Sequence, residues 1–147
     1  MDLVASLRLA LADTFALYFM AHSFHWNVRG PLFQQLHDLF GGLYGDVHGA
    51  VDDLAERIRT LDALAPASLQ EIVAGSSISF GPVPSAMEMV MQLAVANQAA
   101  SASLTSANDA AAAAGNDGLA NFLQERLDVH AKWGWKLKAT LADDTAA

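Results

Sequence analysis

Residues that interrupt helices are rare in this chain, and they divide it into four long stretches. Gly30-Pro31 ends the first stretch, residues 75–84 form the longest loop, and residues 115–118 form a turn. Between these breaks the apolar residues recur at helical spacing, and no strand-like alternation competes with it. The predicted helices are helix A at about 3–27, helix B at about 33–63, helix C at about 84–114 and helix D at about 117–141.

The connection between helices B and C is long enough to cross from one end of a bundle to the other. It contains a short predicted helix at residues 66–72, and Ser85 with Glu88 forms an S-x-x-E capping box at the start of helix C. Four long helices with one long crossover predict an all-α fold, a ferritin-like four-helix bundle with a short extra helix in the crossover. A chain of 147 residues fits one such domain, spanning 1–147.

The composition excludes several kinds of site. The chain has no cysteine, which excludes disulfides, thiol catalysis and cysteine-ligated metals and fits a cytoplasmic location. With 53% apolar and 16% charged residues, the chain is more apolar than a soluble monomer needs, so we expect a homo-oligomer. No apolar run approaches the roughly 20 residues of a membrane span, and the first residues lack the basic region of a signal peptide.

The net charge of −8 favours cations over nucleic acid as partners. The lysines are Lys132, Lys136 and Lys138, all near the end of the sequence, and no basic arm precedes helix A. Because affinity for DNA depends on neutralising phosphates, this distribution argues against direct DNA binding.

Four of the five histidines fall between residues 22 and 48, and helix B carries metal-ligating residue types on one face. With His37 at zero on a helical wheel, the stripe spans only about 100°. Its members are His37, Gly41, Gly45, His48, Asp52 and Glu56. The chain has no Glu-x-x-His pair, which argues against the usual di-iron site inside one subunit.

One ion cannot bind both ends of this stripe in a single chain. His37 and Asp52 are separated by roughly 22 Å along the helix axis. Two antiparallel copies of helix B that cross near Gly45 would bring His37 of one copy opposite Asp52 of the other, and glycines would let the backbones approach. We therefore predict an intersubunit metal site, with imidazole and carboxylate ligands suited to iron, zinc or manganese.

The segments "HWNVRGPLFQQLH" and "DDLAERI" resemble the signature of the Dps family, miniature ferritins named for DNA protection in starved cells. The resemblance implies a hollow shell of twelve subunits that oxidises Fe(II), preferably with hydrogen peroxide rather than dioxygen. The shell would store ferric mineral and protect against oxidative damage. Carried over by position, the ferroxidase site would take His25 and His37 from one subunit and Asp52 and Glu56 from its neighbour.

The chain departs from the family pattern in two ways. Gly41 stands where the family usually has an acidic residue, and the lysine-rich N-terminal tail with which many Dps proteins bind DNA is missing. In the antiparallel register, Gly41 faces His48 of the other copy. We therefore predict that His48 fills the vacated space as a ligand, and the alternative is that it packs in the interface.

Other residues keep more than one interpretation. His22 either extends the metal site or is structural, and Trp26 is either a redox partner or a packing residue. Glu56 could also pair with Arg59 on the surface. We expect Asp46 to face solvent or another helix. His130 should be structural and paired with a carboxylate, and Trp133 and Trp135 should anchor the packing.

Two other functions remain open from the sequence. One is a shell that binds zinc or another metal structurally, its oxidation impaired by Gly41. The other is a nucleoid-compacting protein, which the acidic charge disfavours.

Overall fold

The computed structural model describes residues 1–144, and these residues form helices without a strand. The helices are α1 (Leu3–Asn27), α2 (Phe33–Thr60), α3 (Leu69–Gly75), α4 (Ala86–Ala113) and α5 (Asp117–Leu141). α1 packs against α2, α3 and α4, and α5 packs against α4 and α2. The predicted all-α bundle with a short helix in the crossover is confirmed.

The end of α2 differs from the prediction of about residue 63. Leu61 and Asp62 donate their N–H groups to the carbonyl oxygens of Ile58 and Arg59, at 3.1 and 3.0 Å. Asp62 then takes a left-handed conformation with φ 58°, which a short polar side chain tolerates. The α2 helix therefore ends at Thr60. The crossover helix also lies later than predicted, at Leu69–Gly75.

Local polar contacts fix where the helices begin. Asp2 caps α1 by accepting the N–H of Ala5 at 2.8 Å. The Glu88 carboxylate accepts the backbone N–H and the hydroxyl of Ser85 at 3.0 and 2.9 Å, which confirms the predicted helix start. These bonds lower the pKa of Glu88. Gly30, with φ 117°, provides the turn between α1 and α2.

The apolar core follows the bundle axis in two clusters. The cluster nearest the candidate metal ligands joins Leu17 and Phe24 of α1 to Phe40 and Leu43 of α2 and Leu93 of α4. Contrary to the sequence expectation, α1 is long and apolar enough to span a membrane, alone among the helices of residues 1–144. Because 56% of its most apolar window is buried in the bundle, α1 fits the description of a core helix.

The crossover is anchored to α1 by a buried carboxylate. Asp13 is 1% exposed. It accepts hydrogen bonds from the Ser76 hydroxyl at 2.8 Å, from the Ser77 N–H at 2.7 Å and from the Ser77 hydroxyl at 2.9 Å. Because all three bonds lead to the segment after α3, the start of the long loop is held against α1.

Asp46, which points away from the stripe, attaches α2 to α5. Its carboxylate forms a bidentate pair with Arg126, at 3.0 and 3.1 Å, and accepts the indole N–H of Trp133 at 2.9 Å. Burial opposes the charge of Asp46, but these contacts leave its pKa below the ordinary value. Asp46 therefore faces another helix rather than solvent, which confirms one of the two predicted alternatives. Trp135 is 67% exposed, so its predicted role as a packing anchor within the subunit is wrong.

His130 is structural, as predicted, but its partners differ from the expectation. The buried ring bonds through Nδ1 to the Asn97 amide oxygen at 2.9 Å, and Asn97 donates to the His130 carbonyl oxygen. Its Nε2 lies 3.3 Å from Arg126. Burial, and then the charge of Arg126, lower the pKa of His130 to about 4. The neutral imidazole therefore joins α5 to α4 through an amide rather than a carboxylate.

Candidate metal centre

His25 and His37 lie against each other where α1 and α2 meet. His25 is in the last turn of α1, His37 is near the start of α2, and the turn at residues 28–32 reverses the chain between them. Their imidazole rings are stacked, with centroids 3.7 Å apart and planes inclined by 16°. Phe33 stacks on His37 with a centroid distance of 5.0 Å. Two histidines twelve residues apart in sequence are thereby held as one pair.

The hydrogen bonds of this pair determine which ring nitrogen can bind a metal. The Nδ1 atom of His25 lies 2.7 Å from the carbonyl oxygen of His37, and that of His37 lies 2.8 Å from the carbonyl oxygen of His25. A carbonyl oxygen only accepts, so each Nδ1 carries the proton and donates it. In a neutral imidazole the lone pair is then on Nε2. Fixing the tautomer through the other nitrogen is how proteins prepare histidine ligands for metals.

The space beside His25 accounts for the glycine at position 41. A Cβ at Gly41 would lie 3.3 Å from both Cε1 and Nδ1 of His25, tighter than ordinary van der Waals contact. An acidic side chain at this position would require the imidazole to shift. The departure from the family pattern is therefore coupled to the position of the stacked pair.

His22 belongs to an aromatic cluster next to the pair. Its ring is stacked on Tyr44, with centroids 3.8 Å apart and planes inclined by 5°. Its Nδ1 lies 3.0 Å from the hydroxyl oxygen of Tyr18, whose ring is 4.6 Å from that of His48. Burial, and then His25 and His48, lower the pKa of His22. One nitrogen of His22 is thus engaged by Tyr18, which leaves only Nε2 free for other partners.

Sequence reasoning missed the two tyrosines of this cluster. Tyr18 precedes His22 by one helical turn, and Tyr44 lies at the edge of the stripe on α2. Their spacing would have placed both near the histidines. Trp26, considered as a redox partner or a packing residue, is 58% exposed, and its ring lies 4.2 Å from that of His22.

The predicted carboxylate ligands do not meet the histidines within one subunit. Asp52 and Glu56 are exposed on α2, well beyond His37 along the axis. Among residues 1–144, no group of three or more histidine or acidic side chains is placed to hold one metal ion. The alternative ion pair of Glu56 with Arg59 is also not formed in the described part of the chain, since Arg59 donates to the Ala63 carbonyl oxygen at 2.7 Å.

Comparison with known proteins places this chain in a family. A family model described as a ferritin-like domain matches residues 4–146. Antigen TpF1 from Treponema pallidum is 42% identical over 73 residues, which are 50% of this chain and 41% of the antigen, so that match spans less than half of the relative. A low temperature-induced protein from a Nostoc species is 30% identical over 132 residues, covering 88% of this chain and 74% of the relative.

Solved structures of Dps proteins are similar to this structure over nearly the whole chain. Dps from Thermosynechococcus elongatus has a TM-score of 0.92 at 25% identity and covers 96% of this chain and 90% of its own. A Dps protein from Bacillus brevis has a TM-score of 0.90 at 32% identity, with 95% of both chains covered. A Dps protein from Vibrio cholerae, described as a member of the ferritin-like diiron-carboxylate superfamily, has a TM-score of 0.90 at 25% identity, covering 95% of this chain and 89% of its own.

Proposed function

Because this chain belongs to the ferritin-like family and, within it, to the Dps proteins, we propose that it is a ferroxidase that stores iron. Its substrate is Fe(II), which it oxidises with hydrogen peroxide, or more slowly with dioxygen, and retains as ferric mineral. Residues 1–147 act as one domain, and copies of it assemble into a twelve-subunit shell. We expect this shell in the cytoplasm.

The stacked histidine pair is the observation that carries the proposal. Both Nδ1 atoms donate to backbone carbonyl oxygens, at 2.7 and 2.8 Å, so both Nε2 atoms keep a lone pair for a cation. His25 and His37 are therefore the proposed imidazole ligands of Fe(II).

The carboxylate ligands come from a second copy of the chain. Asp52 and Glu56 are exposed, and an antiparallel pairing of two α2 helices places them opposite the histidine pair. Gly45 lies at the predicted crossing, and apart from its chain neighbours and the adjacent backbone of α2 itself, no atom of its subunit lies within 4 Å of a Cβ built there. A close approach of the two backbones is therefore available at this point. The same two-fold pairing produces two identical sites.

His48 is the proposed replacement for the acidic ligand that the family usually has at position 41. It is exposed in one subunit and lies on the same stripe as Asp52. In the antiparallel register it faces Gly41 of the second copy, next to that copy's histidine pair. We assign it as a ligand of the weaker metal position. His22 is not included, because its ring is stacked on Tyr44, with centroids 3.8 Å apart, and lies 6.2 Å from the ring of His25.

A site that holds two Fe(II) ions can reduce peroxide by two electrons at once, so that no hydroxyl radical is released. Two Fe(II) ions held together can each give one electron to the same peroxide molecule, which cleaves its O–O bond and yields two Fe(III) ions and two hydroxide ions. Imidazole and carboxylate ligands suit both oxidation states of iron, and two anionic carboxylates favour the more highly charged product. The net charge of −8 for each chain also attracts Fe(II) to the shell.

The experiment that tests the proposal is anaerobic loading of the purified protein with Fe(II), followed by peroxide or air. Formation of ferric-oxo species is recorded by absorbance. We expect rapid oxidation by the wild type and its loss in His37→Ala and Asp52→Asn. Asp53→Asn is the matched control, because Asp53 is an equally exposed carboxylate one residue away and off the stripe. Equal loss in D53N, or no loss in D52N, would contradict the assigned ligands.

A second candidate is a shell that holds zinc structurally. It is favoured by Gly41, which removes an acidic ligand, and by two imidazoles whose free nitrogens also suit zinc. The same experiment separates the two functions. Oxidation no faster than in a protein-free solution, together with tight zinc binding that H37A loses, would establish the zinc-binding shell. A nucleoid-compacting function is disfavoured by the charge and would require a DNA gel shift that is lost at high salt.

A further inference from the structure

We propose that Asp46 and His130 form a cation site inside each subunit, that the Arg126 guanidinium is its permanent occupant, and that this occupant keeps divalent metal ions out of the bundle. The assignment goes beyond the proposed ferroxidase function and does not depend on it. Only the consequence for iron rests on that proposed function.

The contacts of the Arg126 guanidinium are those of a bound cation. Arg126 and His130 lie one helical turn apart on α5, so they share the face that meets Asp46 of α2. The guanidinium contacts the Asp46 carboxylate through two nitrogens, at 3.0 and 3.1 Å. The second of these, Nη2, also lies 3.3 Å from Nε2 of His130. Carboxylate oxygen and imidazole nitrogen are the donor types that bind iron, zinc and manganese.

His130 is held in the tautomer that a metal ligand requires. Asn97 donates its amide N–H to the His130 carbonyl oxygen at 2.9 Å, which turns the amide oxygen of Asn97 towards Nδ1 of the ring, also at 2.9 Å. An amide oxygen only accepts, so Nδ1 carries the proton and Nε2 keeps a lone pair. Because burial lowers the pKa of His130 to about 4, this lone pair is available at neutral pH.

The surroundings of Asp46 make a cation necessary at this point. The side chains of Arg126 and Asp46 are 11% and 30% exposed, and Trp133 donates its indole N–H to the same carboxylate at 2.9 Å. Charges enclosed to this extent are weakly screened by water, so the carboxylate attracts a counterion strongly. Arg126 supplies that counterion from within the chain.

Arg126 excludes a metal ion by position and by charge. Its two terminal nitrogens engage both oxygens of Asp46, and Nη2 faces the imidazole lone pair of His130. A divalent ion that approached these atoms would meet the positive charge of the guanidinium, which repels it. The guanidinium stays charged at every physiological pH, and it cannot dissociate from the chain as a metal ion can.

Under the proposed ferroxidase function, this exclusion confines Fe(II) to the sites shared between subunits. Asp46 and His130 could hold one ion between them. A single Fe(II) gives peroxide one electron, which breaks the O–O bond and yields Fe(III), one hydroxide ion and one hydroxyl radical. That radical would form inside the subunit. Arg126 provides the charge of a cation and no electron for this reaction.

The test measures Co(II) binding by the full-length protein in a background that lacks the proposed intersubunit ligands. The background carries four substitutions: His25→Ala, His37→Ala, Asp52→Asn and Glu56→Gln. Cobalt binding then reports on the internal site whether or not the ferroxidase proposal is correct. We expect Arg126→Ala, added to this background, to create a Co(II) visible absorption band for one ion per subunit that the background protein lacks. Adding His130→Gln as well should abolish the band.

Two controls distinguish exclusion of metal from a purely structural role of Arg126. Guanidinium ions at low concentration should displace Co(II) from R126A, because both cations compete for Asp46 and His130. Arg126→Lys keeps a positive charge on the chain and should not create the band. A structural role alone predicts neither result.

The stability of R126A provides a second measurement. Zn(II) should raise the unfolding temperature of R126A, and of Arg126→Met, which keeps the aliphatic stem of the side chain packed. It should not do so when His130→Gln is also present. Absence of Co(II) binding in R126A, a band that survives His130→Gln, or variants that Zn(II) does not stabilise would each overturn the proposal.

Discussion

At the scale of single residues, the proposed chemistry depends on which nitrogen of each imidazole carries the proton. His25 and His37 could be placed near each other from the sequence, because a turn at Gly30 brings the end of α1 to the start of α2. The hydrogen bonds from each ring to the other residue's carbonyl oxygen could not be predicted, because they depend on side-chain rotation. The Tyr18–His22 bond escaped sequence reasoning for the same reason. Residue types at helical spacing predict a shared face, but not the direction of a hydrogen bond.

His130 gives a prediction for stability against pH. Its pKa is about 4 in the folded chain and 6.5 ordinarily, so between these values the unfolded chain binds a proton that the folded chain does not. The free energy of unfolding should therefore fall as the pH falls from 6.5 towards 4, by about 3 kcal/mol over the window. Denaturant unfolding of metal-free protein at several pH values measures this slope.

The variant His130→Gln serves as the control, because glutamine can still bond to Asn97 but does not titrate. We expect a shallower slope between pH 6.5 and 4 in H130Q, and an identical slope would contradict the assignment. Asp46, whose pKa is lowered from 3.8, adds stability that is lost below this window.

At the scale of elements, α2 has two opposite roles. One face carries the proposed ligands, and the other is attached to α5 through Asp46. The helices themselves were predictable, since periodicity and the breaks at Gly30 and Gly115 define them. The contact between Asp46 and Arg126 that attaches α2 to α5 was not predictable, because the two residues lie far apart in sequence. The end of α2 was also missed, because the left-handed conformation of Asp62 depends on the last-turn hydrogen bonds.

Removing the Asp46 carboxylate should destabilise the bundle. The Arg126 side chain is only 11% exposed, so Asp46→Ala leaves a largely buried guanidinium without its carboxylate partner and the indole N–H of Trp133 without an acceptor. Hydrogen bonds to charged groups contribute about 1.5–3 kcal/mol, and we expect a loss of stability of this order. The measurement is the denaturant midpoint of the metal-free protein.

A matched surface pair provides the comparison for D46A. Lys132 and Asp128 lie 3.9 Å apart with side chains 72% and 73% exposed, and such pairs contribute little. Lys132→Ala should leave the midpoint nearly unchanged. Equal effects of D46A and K132A would show that the Asp46 network does not hold α2 in place.

At the scale of the whole molecule, the account depends on how two copies meet. The subunit exposes several large apolar side chains, among them Trp26, Leu32 and Phe33 beside the histidine pair. Exposure of this kind is expected of a surface that is covered in an oligomer. The sequence predicted an intersubunit site because His37 and Asp52 are too far apart along one helix.

Substitution of Gly45 tests whether the two α2 helices cross at this residue. A Cβ at this position meets no atom of its own subunit beyond the adjacent backbone of α2, and alanine favours a helix over glycine by about 0.8–1.0 kcal/mol. Gly45→Ala should therefore not destabilise the subunit, but it should weaken assembly if two backbones approach there. Analytical ultracentrifugation measures the assembly. Gly118→Ala, at an equally open helical position on α5, is the control, and normal assembly of G45A would refute the crossing at this residue.

The measurement that tests the central claim most directly is complementation between two inactive proteins. One carries His25→Ala and His37→Ala, and the other carries Asp52→Asn and Glu56→Gln. Each alone should oxidise no Fe(II) above the protein-free rate. If each site takes imidazoles from one subunit and carboxylates from its partner, co-assembled mixtures regain one intact site in every mixed pair, about a quarter of all sites. Recovery of peroxide-dependent oxidation is the predicted result. Continued inactivity of properly co-assembled shells would contradict a site shared between subunits.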